Sequence, residues 1–145
     1  MQQMRGRCPT AKYLGSGVLE NYELQFKGSP RGAHATIAQK QGSSVPVGVW
    51  KIQTGDEKRL DLYEGYPNYY FKRTVPVTME GRTIRGMAYI MDLKQAFGLP
   101  SGSYFYTVER GYHDCGLDTR VLDQALQQAW EQVQIQEQQE GMQLC

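Results

Sequence analysis

YYFKRTVPVTMEGRTIRGMAYIM, residues 69–91, holds two β-like runs around a single turn. Residues 69–77 alternate as a half-buried strand does, and residues 83–91 are apolar. Glu80-Gly81 between them is a two-residue hairpin signal. The stretch predicts an antiparallel hairpin. Pro76 lies inside its first arm, and a residue without an N–H predicts a sheet edge or a bulge there. Toward the N-terminus, VLENYELQF (18–26) also alternates, and VPVGVWKI (45–52) is rich in valine. GSPRG and QGSS are the turn signals that separate these runs. Short strands therefore dominate residues 17–92.

One helix interrupts them. TGDEKRLDLYEG (54–65) pairs Thr54 with Glu57 at capping-box spacing and places Leu60, Tyr63 and Glu64 at i, i+3 and i+4. Gly65 and Pro67 then stop it, which puts Glu64 in its last turn. The C-terminal third reads as helical. SGSYFYTVERG (101–111) suits one helix ending at Gly111, and Asp118 is the expected N-cap of a second. In that second helix Leu122, Ala125, Leu126, Ala129, Trp130 and Val133 form an apolar stripe expected to pack on the body. Strands followed by helices give an α+β class. A length of 145 residues suits a single domain, here residues 1–135, with a polar, Gln-rich tail at 136–145 expected to fray.

Composition removes several functions. With 40% hydrophobic and 21% charged residues the chain is neither disordered nor built for a membrane, and no apolar run reaches the ~20 residues of a spanning helix. A net charge of +1 gives no electrostatic reason to expect nucleic acid, and the basic start MRGRC lacks interleaved aromatic residues. Cys8, Cys115 and Cys145 are odd in number and widely spaced, and no apolar leader precedes them, so the expected compartment is the cytoplasm. His34 and His113 lie in distant segments without a nearby cysteine cluster, so no metal site is expected. No nucleophile elbow, phosphate-binding loop or dinucleotide fingerprint occurs, and no His or Asn is placed to support Cys8 as a nucleophile.

Glu64 is the residue that could do chemistry. At a helix C-terminus it meets the negative end of the dipole, and Tyr63, Tyr66, Tyr69 and Tyr70 surround it in sequence. Both conditions raise a carboxyl pKa, as a general acid/base near neutral pH requires. The competing reading is an exposed glutamate at a helix end beside tyrosines that pack under strands.

The segments RCPTAKYLGSGVLENYELQF, HATIAQKQGSSVPVGVWKI, LDLYEGYPNYY, GMAYIM and PSGSYFYTVERGYHDCGLD, in that order, resemble the γ-glutamylcyclotransferase-like family over residues 4–130. The resemblance implies a compact mixed fold, a small barrel-like sheet flanked by helices. It also implies cyclisation of a γ-glutamyl amine or peptide to 5-oxoproline without metal or organic cofactor, the partner being a small γ-glutamyl compound. The family's acid/base glutamate lies in LD-x-x-EG, here Leu60 to Gly65, and so falls on Glu64. Gly65 and Tyr70 take the substrate-binding positions, and Tyr104 matches a tyrosine of the late helix with no assigned role. Family members begin with a strand ending in Tyr-Gly-Ser-Asn, whose loop holds the substrate carboxylate and the reacting carbonyl. The 145 residues contain no such sequence, and Gly15-Ser16-Gly17 does not replace it. The expectation is therefore a first strand absent, weak or no turnover by this chain, and a sheet edge open to homodimerisation. The alternative is a non-catalytic binding or interaction module of the same fold.

Overall fold

The computed structural model describes residues 2–66 and 69–144. In chain order they form α1 (Gln2–Arg7), β1 (Lys12–Lys27), β2 (His34–Lys51), α2 (Thr54–Glu64), β3 (Tyr70–Met79), β4 (Arg82–Met91), α3 (Gly102–Asp114) and α4 (Arg120–Leu144). The β3–β4 hairpin is as read, in register from Tyr70↔Met91 to Met79↔Arg82. Glu80 (φ 51°) and Gly81 (φ 75°) both adopt the left-handed conformation of a type I′ turn, whose twist matches that of the strands it joins.

β1 and β2 make a second, much longer hairpin, paired from Lys12↔Lys51 to Lys27↔His34. QGSS is not a turn. β2 runs straight through it, and the turn-forming residues are spent on a bulge where the register shifts between Glu20 and Tyr22. Asn21 (φ 63°) and Gly42 (φ 86°) take left-handed conformations there, and the Gly42 N–H donates to Asn21 Oδ1 at 3.0 Å. A continuous partner strand holds β2 extended across a sequence that would otherwise turn.

The strands form one antiparallel sheet in the order β2-β1-β3-β4. β1 and β3 share a single registered pair, Val18↔Thr78. A Cβ at Gly17 would fall 2.6 Å from Val77 Cγ1, so a side chain there would push these strands apart. Pro76 is thus tolerated in a strand with a full ladder on one side only. The sheet curls until the Met91 N–H donates to Thr36 Oγ1 at 2.9 Å, joining β4 to β2 by a side chain instead of a ladder. Among the described residues the barrel stays open at that seam.

The concave face carries Leu19, Leu24, Phe26, Val45, Val75 and Val77, and α4 lies on it through Leu122, Ala125 and Ala129. The expected stripe is narrower than read. Trp130 is 50% exposed, because the residues that meet the core follow Leu122, Ala125, Ala129 and Val133 along one line, and Trp130 sits about 100° round the helix from Ala129. The Gln-rich segment expected to fray continues α4 as helix to Leu144. Asp118 accepts the Arg120 N–H at 3.0 Å just ahead of that helix. α3 passes the expected stop at Gly111 and ends at Asp114, and the glycine that turns left-handed is Gly116. No helix of the described residues is long and apolar enough to cross a membrane.

Candidate active site

α2 carries the candidate carboxylate, and three ties fix it. Its N-cap is Gln53, one residue before the expected Thr54, and Asp56 instead of Glu57 reaches back to accept the Gln53 N–H at 3.1 Å. Asp56 is fully buried and also accepts from the Thr10 hydroxyl and from Arg59, while the Cys8 thiol donates to the Asp56 carbonyl at 3.7 Å. The Thr10 hydroxyl, with the Gln53 N–H and Arg59, holds the Asp56 carboxyl below its usual range against the effect of burial. The chain leaving α1 is thereby stapled to the start of α2.

The second tie joins α2 to the sheet. Asp61 accepts from the Tyr89 hydroxyl at 2.6 Å and from Lys72 Nζ at 2.9 Å, and Lys72 also reaches Glu57 at 2.9 Å. Burial alone would raise the Asp61 pKa, but these two donors hold it below the ordinary value. The third tie is the helix end. Gly65 is left-handed (φ 70°), the Tyr66 N–H donates to Asp61 O at 2.9 Å, and the Gly65 N–H reaches Leu62 O at 3.4 Å. That is a Schellman motif, with Glu64 as the last helical residue. Pro67, the other expected stop, lies outside the described residues.

Glu64 opens into a cavity of about 310 Å³ whose walls include Arg7, His34, Tyr63, Tyr70 and Tyr104. Burial pushes its carboxyl pKa up, with the Arg7 guanidinium opposing. The floor is aromatic. Tyr70, only 7% exposed, donates its hydroxyl to the Ala35 carbonyl at 3.1 Å, and the Tyr104 hydroxyl accepts the Ala35 N–H at 2.9 Å. His34 lies edge-on to Tyr104, with ring centroids 4.8 Å apart, and its Nδ1 is 3.0 Å from the Tyr69 hydroxyl. Burial raises the Tyr70 phenol far above its ordinary value, with Tyr104 and Glu64 adding to the effect.

The fold thus brings Glu64 and Tyr70 together. Gly65 is not among the described lining residues; it shapes the helix end, where an added Cβ would sit 3.1 Å from Tyr69 Cβ. Arg7, His34 and the hub at Asp61 were not singled out by the sequence reading. Asp61 stands one turn before Glu64 on the same helix, a spacing that could have marked it. Among the described residues no group of three or more His, Cys, Asp or Glu side chains is placed to hold a metal ion.

The motif Leu60 to Gly65 thus ends in a carboxylate that lines a small aromatic pocket. The family model described as "Gamma-glutamyl cyclotransferase, AIG2-like" matches residues 1–106. The chain belongs to this family. A solved structure named γ-glutamyl cyclotransferase superposes with a TM-score of 0.76 at 26% identity, covering 86% of this chain and 78% of that one. The uncharacterized human protein loc79017 gives a TM-score of 0.75 at 27% identity with the same coverage. YkqA from Bacillus subtilis shares the fold, with a TM-score of 0.70 at 24% identity over 80% of this chain and 45% of its own. Comparison with curated protein sequences gives no match. The cyclotransferase relatives and this chain share an α+β architecture, here a four-stranded antiparallel sheet with flanking helices.

Proposed function

We propose that the protein cyclises a γ-glutamyl amine or peptide to 5-oxoproline and releases the amine, with Glu64 as general acid/base. The observation that carries this reading is a carboxyl whose pKa is raised by burial, aimed into a small pocket from the end of a helix tied down at both ends. The substrate's free α-amine attacks its own γ-carbonyl, so a carbon–nitrogen bond forms within the five-membered ring. Glu64 takes the proton that this nitrogen sheds and delivers it to the departing nitrogen as the old amide bond breaks. No external nucleophile is required, because attack within one molecule needs orientation above all. The cavity volume of about 310 Å³ lies at the small end of ligand sites and suits an amino-acid-sized head group. Tyr70 contributes a fixed wall, since its hydroxyl is already committed to Ala35.

Glu64→Gln keeps the shape but cannot exchange the proton. Release of 5-oxoproline should fall by roughly 10²-fold or more, the scale for a positioned acid/base group, while ligand binding survives. Equal losses of folding and turnover in that variant would return Glu64 to a structural role.

A second reading is a binding module of the same fold, and one feature of the floor favours it: the Tyr70 hydroxyl gives its proton to the Ala35 carbonyl and has none to donate to a substrate. Binding of γ-glutamyl compounds by the wild-type chain without any 5-oxoproline would establish it. The open seam between β2 and β4 supports self-association through an edge. Light scattering over a concentration series should show a dimer, and a strictly monomeric protein would discard that edge as an interface. Cys8 and Cys115 are both free thiols, which suits the proposed cytoplasmic location.

A further inference from the structure

His34 lines the same cavity as Glu64, and the proposed mechanism gives it no task. The fold nevertheless fixes both its backbone and its ring. The next residue, Ala35, has its N–H bonded by the Tyr104 hydroxyl and its carbonyl by the Tyr70 hydroxyl, so the strand is pinned on the pocket floor at this point. The imidazole stands edge-on to Tyr104 and to Tyr69, with ring centroids 4.8 Å and 5.8 Å away. Its Nδ1 lies 3.0 Å from the Tyr69 hydroxyl. A phenol O–H is the stronger donor of this pair and an imidazole nitrogen the stronger acceptor, so Tyr69 donates and Nδ1 accepts. Burial raises the Tyr69 phenol pKa, which keeps the proton of that bond on the phenol. The bond made at one ring nitrogen sets the state of the other, so the ring hydrogen sits on Nε2. Among the described residues that N–H has no partner.

We propose that His34 donates its Nε2–H to the γ-carbonyl oxygen of the substrate and stabilises the negative charge which that oxygen takes on as the ring closes. The inference rests on the cyclotransferase reading and adds a second catalytic residue to it. Tyr69 spaces the two groups. Its backbone N–H donates at 2.8 Å to the carbonyl of Gly65, the residue after Glu64, while its hydroxyl reaches His34. The imidazole therefore stands one tyrosine side chain from the helix end that carries the carboxyl. An amide placed between them can turn its nitrogen to Glu64 and its oxygen to His34, with a hydrogen bond of about 2.9 Å at each end. When the α-amine adds to the carbonyl carbon, the π pair moves onto the oxygen, and it returns as the bond to the departing nitrogen breaks. Glu64 carries the proton between the two nitrogens, and His34 keeps its own throughout. A donor already aimed and already fixed costs no reorganisation as that charge develops. The Tyr70 hydroxyl cannot take this task, because its proton goes to the Ala35 carbonyl.

Two measurements test this, one of them independent of turnover. In ¹⁵N NMR of histidine-labelled protein in mildly alkaline buffer, His34 should be the Nε2–H tautomer. Its Nε2 resonance should shift when 5-oxoproline is added, since the lactam carbonyl is the reacted group, while His113 should not respond. His34→Phe keeps the ring and its edge-on packing but has no N–H. Release of 5-oxoproline, from whichever of γ-glutamyl-alanine and γ-glutamyl-ethylamine the wild type turns over faster, should lose roughly 10²-fold or more in kcat, the scale of one oxyanion donor, with KM little changed. His34→Gln, whose side-chain N–H can stand where Nε2–H stood, should recover part of that loss, and Tyr69→Phe, which frees the tautomer, should fall between wild type and His34→Phe. A histidine that only packs would gain nothing from glutamine. The Nδ1–H tautomer in the free protein overturns the inference. So does an unchanged kcat in His34→Phe beside the expected loss in Glu64→Gln, which leaves the cyclotransferase reading intact and gives the carbonyl to another donor of the wall. If the wild type releases no 5-oxoproline from either compound, both fall together.

Discussion

Removing one oxygen from the pocket floor separates a structural tyrosine from one that works on substrate. The Tyr104 hydroxyl accepts the Ala35 N–H at 2.9 Å, and Tyr70 donates to the carbonyl of the same residue at 3.1 Å. Tyr104→Phe leaves the ring, and hence its edge-on packing with His34 at 4.8 Å, but strands the Ala35 N–H. An unsatisfied donor of this kind costs about 1–3 kcal/mol, and because Tyr104 is only partly buried we place the loss near the lower half of that range. Tyr70→Phe strands a carbonyl and loses one neutral hydrogen bond, about 0.5–1.5 kcal/mol. For a chain of this length each kcal/mol lowers Tm by roughly 2–4 °C, so Tyr104→Phe should melt about 2–8 °C early. Urea unfolding should show a lower midpoint at unchanged m, since the surface exposed on unfolding is the same. The two changes share Ala35, so the double variant should depart from the sum of the singles. A Tyr104→Phe protein with wild-type stability would refute the clamp, and one that kept its stability but lost turnover would move the hydroxyl onto the substrate.

The Glu64 carboxyl should titrate above the unperturbed ~4.3 in a ¹³C NMR experiment, and higher still in Arg7→Gln, because the opposing guanidinium is gone. Since its folded pKa is raised, the stability tied to this group is complete below the unfolded value and lost as pH rises through the folded one; Glu64→Gln should lack that loss, which melting curves from pH 4 to 8 would reveal. Asp61 behaves oppositely. Its folded pKa is depressed, so its contribution is present above ~3.9 and lost as pH falls through the folded value; Asp61→Asn should melt below wild type at pH 7, with the two curves converging in acid. Leu122→Ala, which empties a fully buried contact between α4 and the sheet, should cost about 2–5 kcal/mol in urea unfolding.

What the sequence disclosed follows the range of the forces involved. The β3–β4 hairpin and the end of α2 depend on near neighbours: an alternating run, Glu80-Gly81, and Gly65 after Glu64. Elements governed by a distant partner were misread. QGSS has the composition of a turn, yet it becomes a bulge within β2, because Ser44 and Gln39 on either side of it pair with Glu20 and Tyr22 of β1 and the opposite strand carries the chain through. Gly111 looks like a helix stop but is carried by α3 as far as Asp114. Trp130 belongs to the apolar face by period, but which members of a face touch the core depends on how α4 lies across the sheet.

The same division runs through the site. Glu64 could be located from its local motif, but the conditions that make it a candidate acid/base are long-range. Asp61 meets Lys72 and Tyr89 from two different strands, Asp56 meets Thr10 from a segment 46 residues earlier, and Arg7 arrives with that segment. These ties act on Glu64 without touching the pocket's contents: they fix the helix end, and the helix end fixes how deeply the carboxyl is buried. Burial raises the pKa, so loosening α2 at Asp61 should lower the Glu64 midpoint toward its solution value even though no group within the cavity has changed. A Glu64 titration in Asp61→Asn tests this directly. An unaltered midpoint would mean that the Schellman end at Gly65 holds the carboxyl in place without help from the sheet.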